Sequence, residues 1–320
     1  MISFVARRLS QSVVVVIAVT LIVFVIIHLL PGGPAAALLG ERATPAQIHT
    51  FIVENGYDKP IWSQYLTYLG QLLRGNLGYS FAYNESVSSL LGQALPKSAL
   101  LVGLAVIVAV VLAIPIGMLQ AVQRNRLVDY LLTGLAFIGY SMPTFWLGLL
   151  LILGLSVSLR IFPAEGPQGA TVGAVLQQPL ALALPVMTLA IVMLALFSRF
   201  VRSSAIENLV QDYVRTARAK GVPEATIIRH HVLRNSLTPI ITLFGLSLPS
   251  VLSGGIVVES LFNYPGMGLL FWKGATTHDY PLLMGFTVVV GVATVIGNLL
   301  ADLAYGFADP RIRLRSRRRR

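Results

Sequence analysis

Long apolar runs separated by short polar segments dominate the hydrophobic pattern of this chain. Each run has at least about 20 residues, enough for a helix rising about 1.5 Å per residue to cross about 30 Å of hydrocarbon. The runs lie near residues 9–30, 98–120, 131–159, 181–201, 237–258 and 283–306. The pattern predicts an all-α integral membrane protein with about six transmembrane helices.

Two of the runs leave room for another interpretation. The first follows Arg7 and Arg8 and precedes the alanines of residues 35–37, as the apolar part of a secretory signal peptide also does. Its apolar core of about 20 residues is longer than the roughly 7–15 residues of such a peptide, which favours a retained span. The third run contains residues 139–143, with a proline, and is long enough to be tilted or broken. The number of spans is therefore expected to be five to seven.

Basic residues divide unevenly between the two sides of the six-helix arrangement. Of the 24 lysines and arginines, 18 fall on one side and six on the other. The six are Arg42, Lys59, Arg74, Lys97, Arg160 and Lys273. The positive-inside bias then predicts that both termini and the polar segment between runs four and five are cytoplasmic. This bias explains the net charge of +11 without nucleic acid, and the basic residues 317–320 either meet anionic lipid or are disordered.

Composition and missing motifs argue against catalysis and cofactor binding by this chain. Hydrophobic residues make up 55% of the positions, and cysteine is absent, which excludes disulfides, cysteine-ligated metals and thiol catalysis. No Gly-x-x-x-x-Gly-Lys-[Ser/Thr] phosphate loop occurs, so the chain lacks the usual backbone cradle and lysine for ATP. The five histidines show no metal-ligand spacing. The sequence thus predicts no catalytic residue, no metal site and no cofactor bound by this chain.

One polar region, residues 31–97, is predicted on the outer face. It is predicted to contain a helix at residues 45–53 and a glycine-rich loop at residues 75–80. Between them, five apolar or aromatic residues have the spacing of one helix face: Ile61, Tyr65, Tyr68, Leu69 and Leu72. The region forms a small external subdomain that caps the bundle, or else contacts a soluble partner.

The other polar region, residues 203–236, lies between runs four and five. Ser203 or Ser204 is predicted to cap a helix that ends at Gly221, and Pro223 with Glu224 suits the start of a second helix. Along the first arm, three residues recur at four-residue spacing as an apolar ridge: Leu209, Tyr213 and Ala217. Such a helix either inserts into a groove on another protein or lies flat on the inner leaflet.

This segment carries a resemblance to a known family. Residues 212–221, Asp-Tyr-Val-Arg-Thr-Ala-Arg-Ala-Lys-Gly, resemble the EAA loop of the membrane subunits of binding-protein-dependent ABC importers, in the form of the dipeptide and oligopeptide permease family. Residues 215–217 stand where the general motif has Glu-Ala-Ala, and residues 231–235 replace its Ile-x-Leu-Pro tail. Further similar segments follow in order over nearly the whole chain, at residues 4–8, 31–34, 57–60, 75–78, 141–148, 259–268 and 302–311.

The resemblance implies a permease subunit that passes dipeptides or short oligopeptides inward. It implies a second related permease subunit, two ATPase subunits or domains that carry ATP and Mg, and an external solute-binding protein. The chain would divide into residues 1–30 with the first span, the external segment 31–97, the permease core 98–306 with its coupling loop 203–236, and a basic tail at 307–320.

Candidate site residues fall into three groups. The ATPase-coupling residues are predicted to be Asp212, Tyr213, Arg215, Ala217, Arg218 and Gly221. Among them, Ala217 would permit close approach to the ATPase, and Gly221 would end the helix with a left-handed backbone. The translocation path is predicted to include Tyr140, Ser141, Thr144, Ser250 and Ser253. An external gate would contain Glu259, Asn263, Pro265 and Gly266, for which a loop-ordering role is equally compatible with the sequence.

Other functions remain open from the sequence. Related permeases carry nickel complexes or glutathione with the same machinery. An ion-coupled carrier or a channel would normally need an ionisable residue within the membrane, and no charged residue lies near the middle of any run. The hypothesis of a purely structural membrane scaffold would not explain the polar loop at residues 203–236.

Overall fold

The computed structural model describes residues 2–29, 35, 39, 43–54, 56–80, 82–237 and 255–308, with side chains from residue 10 to residue 299 of these ranges. The α-helices are α1 (Ile2–Leu29), α2 (Pro45–Glu54), α3 (Ile61–Leu73), α4 (Val87–Val122), α5 (Leu127–Ser141), α6 (Thr144–Leu151), α7 (Val172–Leu176), α8 (Pro179–Leu209), α9 (Asp212–Ala219), α10 (Glu224–Thr226), α11 (Leu233–Ser236), α12 (Ile256–Leu261), α13 (Met267–Thr276) and α14 (Tyr280–Ala308). Two π-helical segments, Ile152–Ser158 and Ile227–Val232, continue α6 and α10. The strands β1 (Tyr79–Ser80) and β2 (Glu85–Ser86) pair antiparallel.

Within the described ranges, four helices are long and apolar enough to cross a membrane: α1, α4, α8 and α14. A fifth crossing is formed if α5 and the Thr144–Ser158 helix, which meet at an angle of 107°, count as one broken span. The break lies at Met142 and Pro143, because the proline ring disfavours a helical conformation at the preceding residue. The predicted interruption of the third run is confirmed. Most of the fifth run, 237–258, lies outside the described residues, so the count of six stays a prediction.

Two predicted boundaries were wrong. Helix α4 begins at Val87 and not near residue 98, because Ser86 Oγ accepts the Ser89 N–H and the polar first turns extend the helix beyond its apolar run. The end of the predicted external segment is therefore helical and belongs to the bundle. At the other boundary, α8 continues through Ser203 and Ser204 to Leu209, so neither serine caps a new helix.

Helices α4 and α8 form the centre of the bundle and run parallel. Leu182, near the start of α8, packs in one cluster with Leu101 in the first half of α4, and near the ends of both helices Ala121 packs with Ala205. Between these levels Gly117 lies so close to the Ser198 carbonyl and Val201 that a Cβ would clash. Because α4 and α8 run in the same direction, the chain between them must cross back to the starting side. The bent α5–α6 element makes this return crossing.

Helix α1 packs against α14, and the two run antiparallel. Val19 lies beside Gly291, while Ile27, later in α1, lines the same cavity as Met284, earlier in α14. We call residues 212–236 the hairpin. It packs on the last turns of α4 and α8, at what we call the hairpin end of the bundle. The starts of α4 and α14 are at the opposite end, where Ser80 Oγ in β1 donates a hydrogen bond to Asp279.

Helix α3 lies beside α1, and α2 precedes it in the chain. The predicted helix at residues 45–53 is confirmed as α2. Helix α3 packs on α1, with Tyr65 Oη 3.0 Å from Thr20 Oγ1 and Gln64 Oε1 2.9 Å from His28 Nε2. Whether the segment caps the bundle or contacts a soluble partner stays a prediction. Of the predicted apolar face, Ile61 is exposed because it is the first residue of α3 and the contacts with α1 begin at Gln64.

Candidate functional site

The hairpin begins with a sharp break after α8. Val210 ends that helix, Gln211 is extended, and α9 starts at Asp212. The predicted helix from residue 203 to Gly221 is therefore two helices. The predicted apolar ridge of Leu209, Tyr213 and Ala217 was wrong as well. Leu209 belongs to α8, and the buried residues of α9 are Val214 and Ala217.

Gly221 ends α9 in the left-handed conformation that the sequence predicts, with φ +76°. The Gly221 N–H donates to the Arg218 carbonyl at 3.0 Å and the Val222 N–H donates to the Ala217 carbonyl at 3.2 Å. This pair of bonds is a Schellman motif, which satisfies carbonyls that a helix end otherwise leaves without partners. A non-glycine residue here would carry the steric cost of a left-handed backbone.

A bidentate ion pair joins the two arms of the hairpin. Arg218 donates to both carboxylate oxygens of Glu224, at 2.6 and 3.0 Å, across the turn at Pro223. The hydrogen bond from Arg218 lowers the pKa of the Glu224 carboxyl below its ordinary value. The second arm starts at Glu224 as predicted and continues through a π-helical segment to Ser236. Arg218 thus pairs within its own chain.

The inward face of the hairpin is packed on the membrane helices. Val214 and Ala217 of α9 join Ile227 and Val232 of the second arm in one buried cluster. The bundle completes this cluster with Met118, Ala121, Val201 and Ala205. The Ala217 methyl therefore meets this chain's own helices, which corrects the expectation that it approaches a partner closely. Its small size brings α9 onto α8.

The outward face of α9 is polar. The side chains of Asp212 and Arg215 are 98% and 73% exposed and lie 3.7 Å apart. Tyr213 lies at the edge of this face, and its hydroxyl donates to Asn208 Oδ1 at 2.7 Å. Asp212, Arg215 and Tyr213 are thus the predicted coupling residues that face away from the chain.

An ion pair with a buried carboxylate lies next to the hairpin, and it was not predicted from the sequence. Asp129, 2% exposed, accepts hydrogen bonds from Arg202 Nε and Nη2 at 2.7 and 2.8 Å. It also accepts the Asn125 N–H and the Thr133 hydroxyl. Acidic residues are common in the first turn of helices, where they interact favourably with the helix dipole. The position of Asp129 therefore did not indicate a contact with a residue 73 positions away. The pair fixes the start of α5 to α8.

The predicted path residues lie at the bend between α5 and α6. Tyr140 and Ser141 are exposed at the end of α5, and Thr144 is half-buried at the start of α6. The Arg199 guanidinium carbon is 5.6 Å from the centre of the Tyr140 ring. Ser250 and Ser253 lie outside the described residues.

The predicted external gate forms a closed loop at the opposite end. Glu259 is fully buried, and its Oε2 accepts the Gly268 N–H at 2.6 Å. Gly266 lies against the Glu259 carboxylate and the Ser98 hydroxyl, with no space for a Cβ. Pro265 is half-buried between them and the exposed Asn263. These contacts order the loop.

Asn263 connects this loop to the segment that precedes α7. Its Nδ2 donates to Glu165 Oε1 at 2.6 Å, and its carbonyl accepts a hydrogen bond from Gln168 at 2.8 Å. The neighbouring Phe262 carbonyl accepts the Gly166 N–H at 2.7 Å. Asn263 has φ +49°, a conformation that asparagine tolerates better than most residues.

Comparison with known proteins places these features in one family. Residues 113–314 match the family described as "Binding-protein-dependent transport system inner membrane component", and residues 1–105 match the corresponding amino-terminal family, "Binding-prot-dependent transport system membrane comp, N-term". The chain belongs to this family of transport-system membrane components. The described helices and this membership together make it a multi-pass inner-membrane protein with a predominantly helical fold.

Relatives that match over their full length are permease subunits by name. The oligopeptide transport system permease protein AppB of Bacillus subtilis is 39% identical, covering 98% of this chain and 99% of the relative. The dipeptide transport system permease protein DppB of Escherichia coli is 35% identical, with the same coverage. The di/tripeptide transport system permease protein DppB of Pseudomonas aeruginosa is 36% identical, also over 98% and 99%. This chain is therefore similar to permease subunits and not to ATPases.

Proposed function

We propose that this chain is one permease subunit of an ATP-driven importer that passes dipeptides or short oligopeptides into the cytoplasm. Full-length similarity to peptide permeases supports the substrate class. The hairpin carries the proposal of ATP coupling, because its inward face is packed on α4 and α8 while its outward face is free to engage another protein.

In this proposal the hairpin transmits force as a rigid unit. The buried cluster around Val214 and Ala217 joins α9 to the last turns of α4 and α8. The Asp129–Arg202 pair then joins α8 to α5. A movement imposed on α9 by closing ATPases therefore moves α8 and the bent α5–α6 element together, as a rigid-body transition requires.

The partners follow from the family. A second permease subunit, two ATPase subunits or domains with ATP and Mg, and an external solute-binding protein complete the importer. The excess of basic residues favours a cytoplasmic position for the hairpin end and for both termini. The part of the segment 31–97 that precedes α4 and the loop at residues 259–268 then face the binding protein.

Roles of individual residues complete the proposal. Asp212, Tyr213 and Arg215 contact the ATPase, while Ala217, Arg218 and Gly221 maintain the shape of the hairpin that presents them. Tyr140, Ser141 and Thr144, with Ser250 and Ser253, line the path. Glu259, Asn263, Pro265 and Gly266 shape the external gate by keeping its loop closed.

Copurification of ATPase activity tests the coupling proposal. We expect ATP hydrolysis to co-elute with the wild-type chain from gently solubilised native membranes, and Arg215→Glu to lower that activity because it reverses the charge on the outward face of α9. Arg74→Glu, at an exposed arginine outside the hairpin, is the matched control and should retain it. A wild-type chain that elutes without ATPase, or equal loss in both variants, would contradict the proposed coupling.

A further inference from the structure

Two exposed side chains meet between α8 and α5. Arg199 lies ten residues before the end of α8, and its guanidinium carbon is 5.6 Å from the centre of the Tyr140 ring on α5. Along α8, Arg199 lies three residues, about 4.5 Å, closer to the middle of the helix than Arg202, which pairs with the start of α5. Its guanidinium extends further along the bundle, to the ring of Tyr140 at the other end of α5.

Helix geometry explains how the two side chains meet. Helices α5 and α8 are antiparallel, since Asp129 pairs with Arg202 while Gly139 lies beside Ile191 and Ala195. Side chains of a helix lean toward its amino terminus. The Arg199 side chain consequently leans away from the hairpin end, and the Tyr140 ring leans toward it.

This direction is unusual for an arginine in a membrane protein. A long basic side chain in a span normally extends toward the nearer water. Arg199 extends the other way, and no carboxylate among the described residues forms an ion pair with it, whereas Arg202, three residues later, is paired with Asp129. A charged side chain at such a depth is costly in lipid and typically faces a water-filled cavity or a substrate pathway. The face of α8 and α5 that carries Arg199 and Tyr140 then lines the passage.

We propose that Arg199 and Tyr140 form a binding station for the carboxylate of the transported peptide, an inference that rests on the proposed function. The guanidinium fork matches a carboxylate in a bidentate geometry. The Tyr140 ring holds the flat face of the guanidinium through a cation–π contact and leaves its N–H edge available. Every linear peptide with a free carboxyl terminus presents this group whatever its side chains, so the station binds the shared backbone end.

Uptake of paired peptides tests the station. The complete importer with its binding protein is reconstituted into vesicles, and ATP-driven uptake is measured for a dipeptide with a free carboxyl terminus and for its carboxyl-terminal amide. For each peptide the variant rate is divided by the wild-type rate, which cancels any preference of the unchanged binding protein. We expect Arg199→Gln to lower the ratio for the free acid about tenfold or more, as loss of a charge-assisted hydrogen bond predicts, and to leave the amide ratio near one.

Three further variants refine the test. Arg199→Lys keeps the charge and should keep part of the preference for the free acid. Tyr140→Phe keeps the ring face and should behave like the wild type, while Tyr140→Leu should resemble Arg199→Gln. Arg126→Gln, at an exposed arginine outside the passage, is the matched control and should leave both ratios unchanged.

The outcomes separate the station from the proposed function. If the wild-type importer takes up no peptide with ATP, the proposed function fails. If it does, but Arg199→Gln lowers uptake of acid and amide equally, the arginine serves assembly, a partner subunit or lipid, and the station is overturned. Unchanged uptake of both peptides by Arg199→Gln would overturn it as well.

Discussion

Gly221 carries the strongest backbone constraint of the hairpin. Its φ of +76° closes the Schellman motif, and the space around its Cα is open, so a side chain there would meet a conformational penalty and no clash. The turn therefore depends on the backbone of this residue and not on packing. A substitution can test the turn without disturbing the core.

We expect Gly221→Val to weaken ATPase docking and transport while membrane insertion stays intact. A left-handed backbone costs a β-branched residue about 1–2 kcal/mol, which opens the turn between the two arms. Gly221→Asn is the matched control, because asparagine tolerates this conformation. ATPase copurification and uptake measure the effect, and normal uptake by Gly221→Val would remove the assignment.

Ala217 acts through its packing inside the chain. We expect Ala217→Arg to lower the free energy of unfolding of the purified protein by at least about 2 kcal/mol, and with it the melting temperature. The longer side chain overpacks the cluster between the hairpin and α8. Ala219→Arg, at an exposed position of the same helix, should leave it nearly unchanged. Equal melting temperatures for the two variants would show that Ala217 is not packed as described.

These two residues show what could be predicted locally. The need for glycine at 221 follows from its place after a run of helix formers, so its conformation could be predicted from neighbouring residues alone. The face on which Ala217 lies could not, because it depends on where α8 ends. A four-residue spacing counted from Leu209 runs through the break at Gln211, and no strong breaker such as proline or glycine marks that break in the sequence.

At the level of elements, the Asp129–Arg202 pair joins α5 to α8 at the hairpin end. Both oxygens of the carboxylate are used, and Asn125 and Thr133 complete its hydrogen bonds. The apolar runs predicted the four long helices and the bent α5–α6 element. The pair that fixes their relative positions links residues far apart in the sequence, so local patterns could not reveal it.

Removal of this pair has a distinct expected cost. Asp129→Ala leaves Arg202, whose side chain is 29% exposed, without its carboxylate, and loss of these charge-assisted hydrogen bonds should cost about 1.5–3 kcal/mol. Glu224→Ala removes an ion pair of similar geometry that is exposed, which should cost less than about 1 kcal/mol. Thermal unfolding of the purified variants compares the two, and similar losses for both would contradict the burial of Asp129.

The whole molecule combines a parallel central pair, α4 and α8, with one bent return crossing. The apolar length of residues 131–159 predicted that crossing and its break, but the angle of 107° depends on packing against α8 and α12, where Gly148 fits beside Thr188 and Leu261. The apolar run that predicted α4 begins near residue 98, eleven residues after the observed start of the helix, because polar turns extend a helix beyond its apolar run. Hydrophobicity alone therefore located the membrane core and not the ends of its helices.

The basic residues 317–320 lie outside the described residues, and their role is a prediction for the whole molecule. If they only meet anionic lipid, deletion of residues 317–320 should leave peptide uptake and complex assembly unchanged. Uptake and ATPase copurification of the truncated chain measure this. Loss of assembly would mean that the tail binds a partner subunit.

The energy source of uptake is the property that separates an ATP-driven importer from an ion-coupled carrier. The reconstituted complex with its binding protein should accumulate a labelled dipeptide when ATP is supplied on the hairpin side, without any ion gradient. It should not do so with a proton or sodium gradient alone. Uptake driven by a gradient in the absence of ATP would contradict the proposed mechanism.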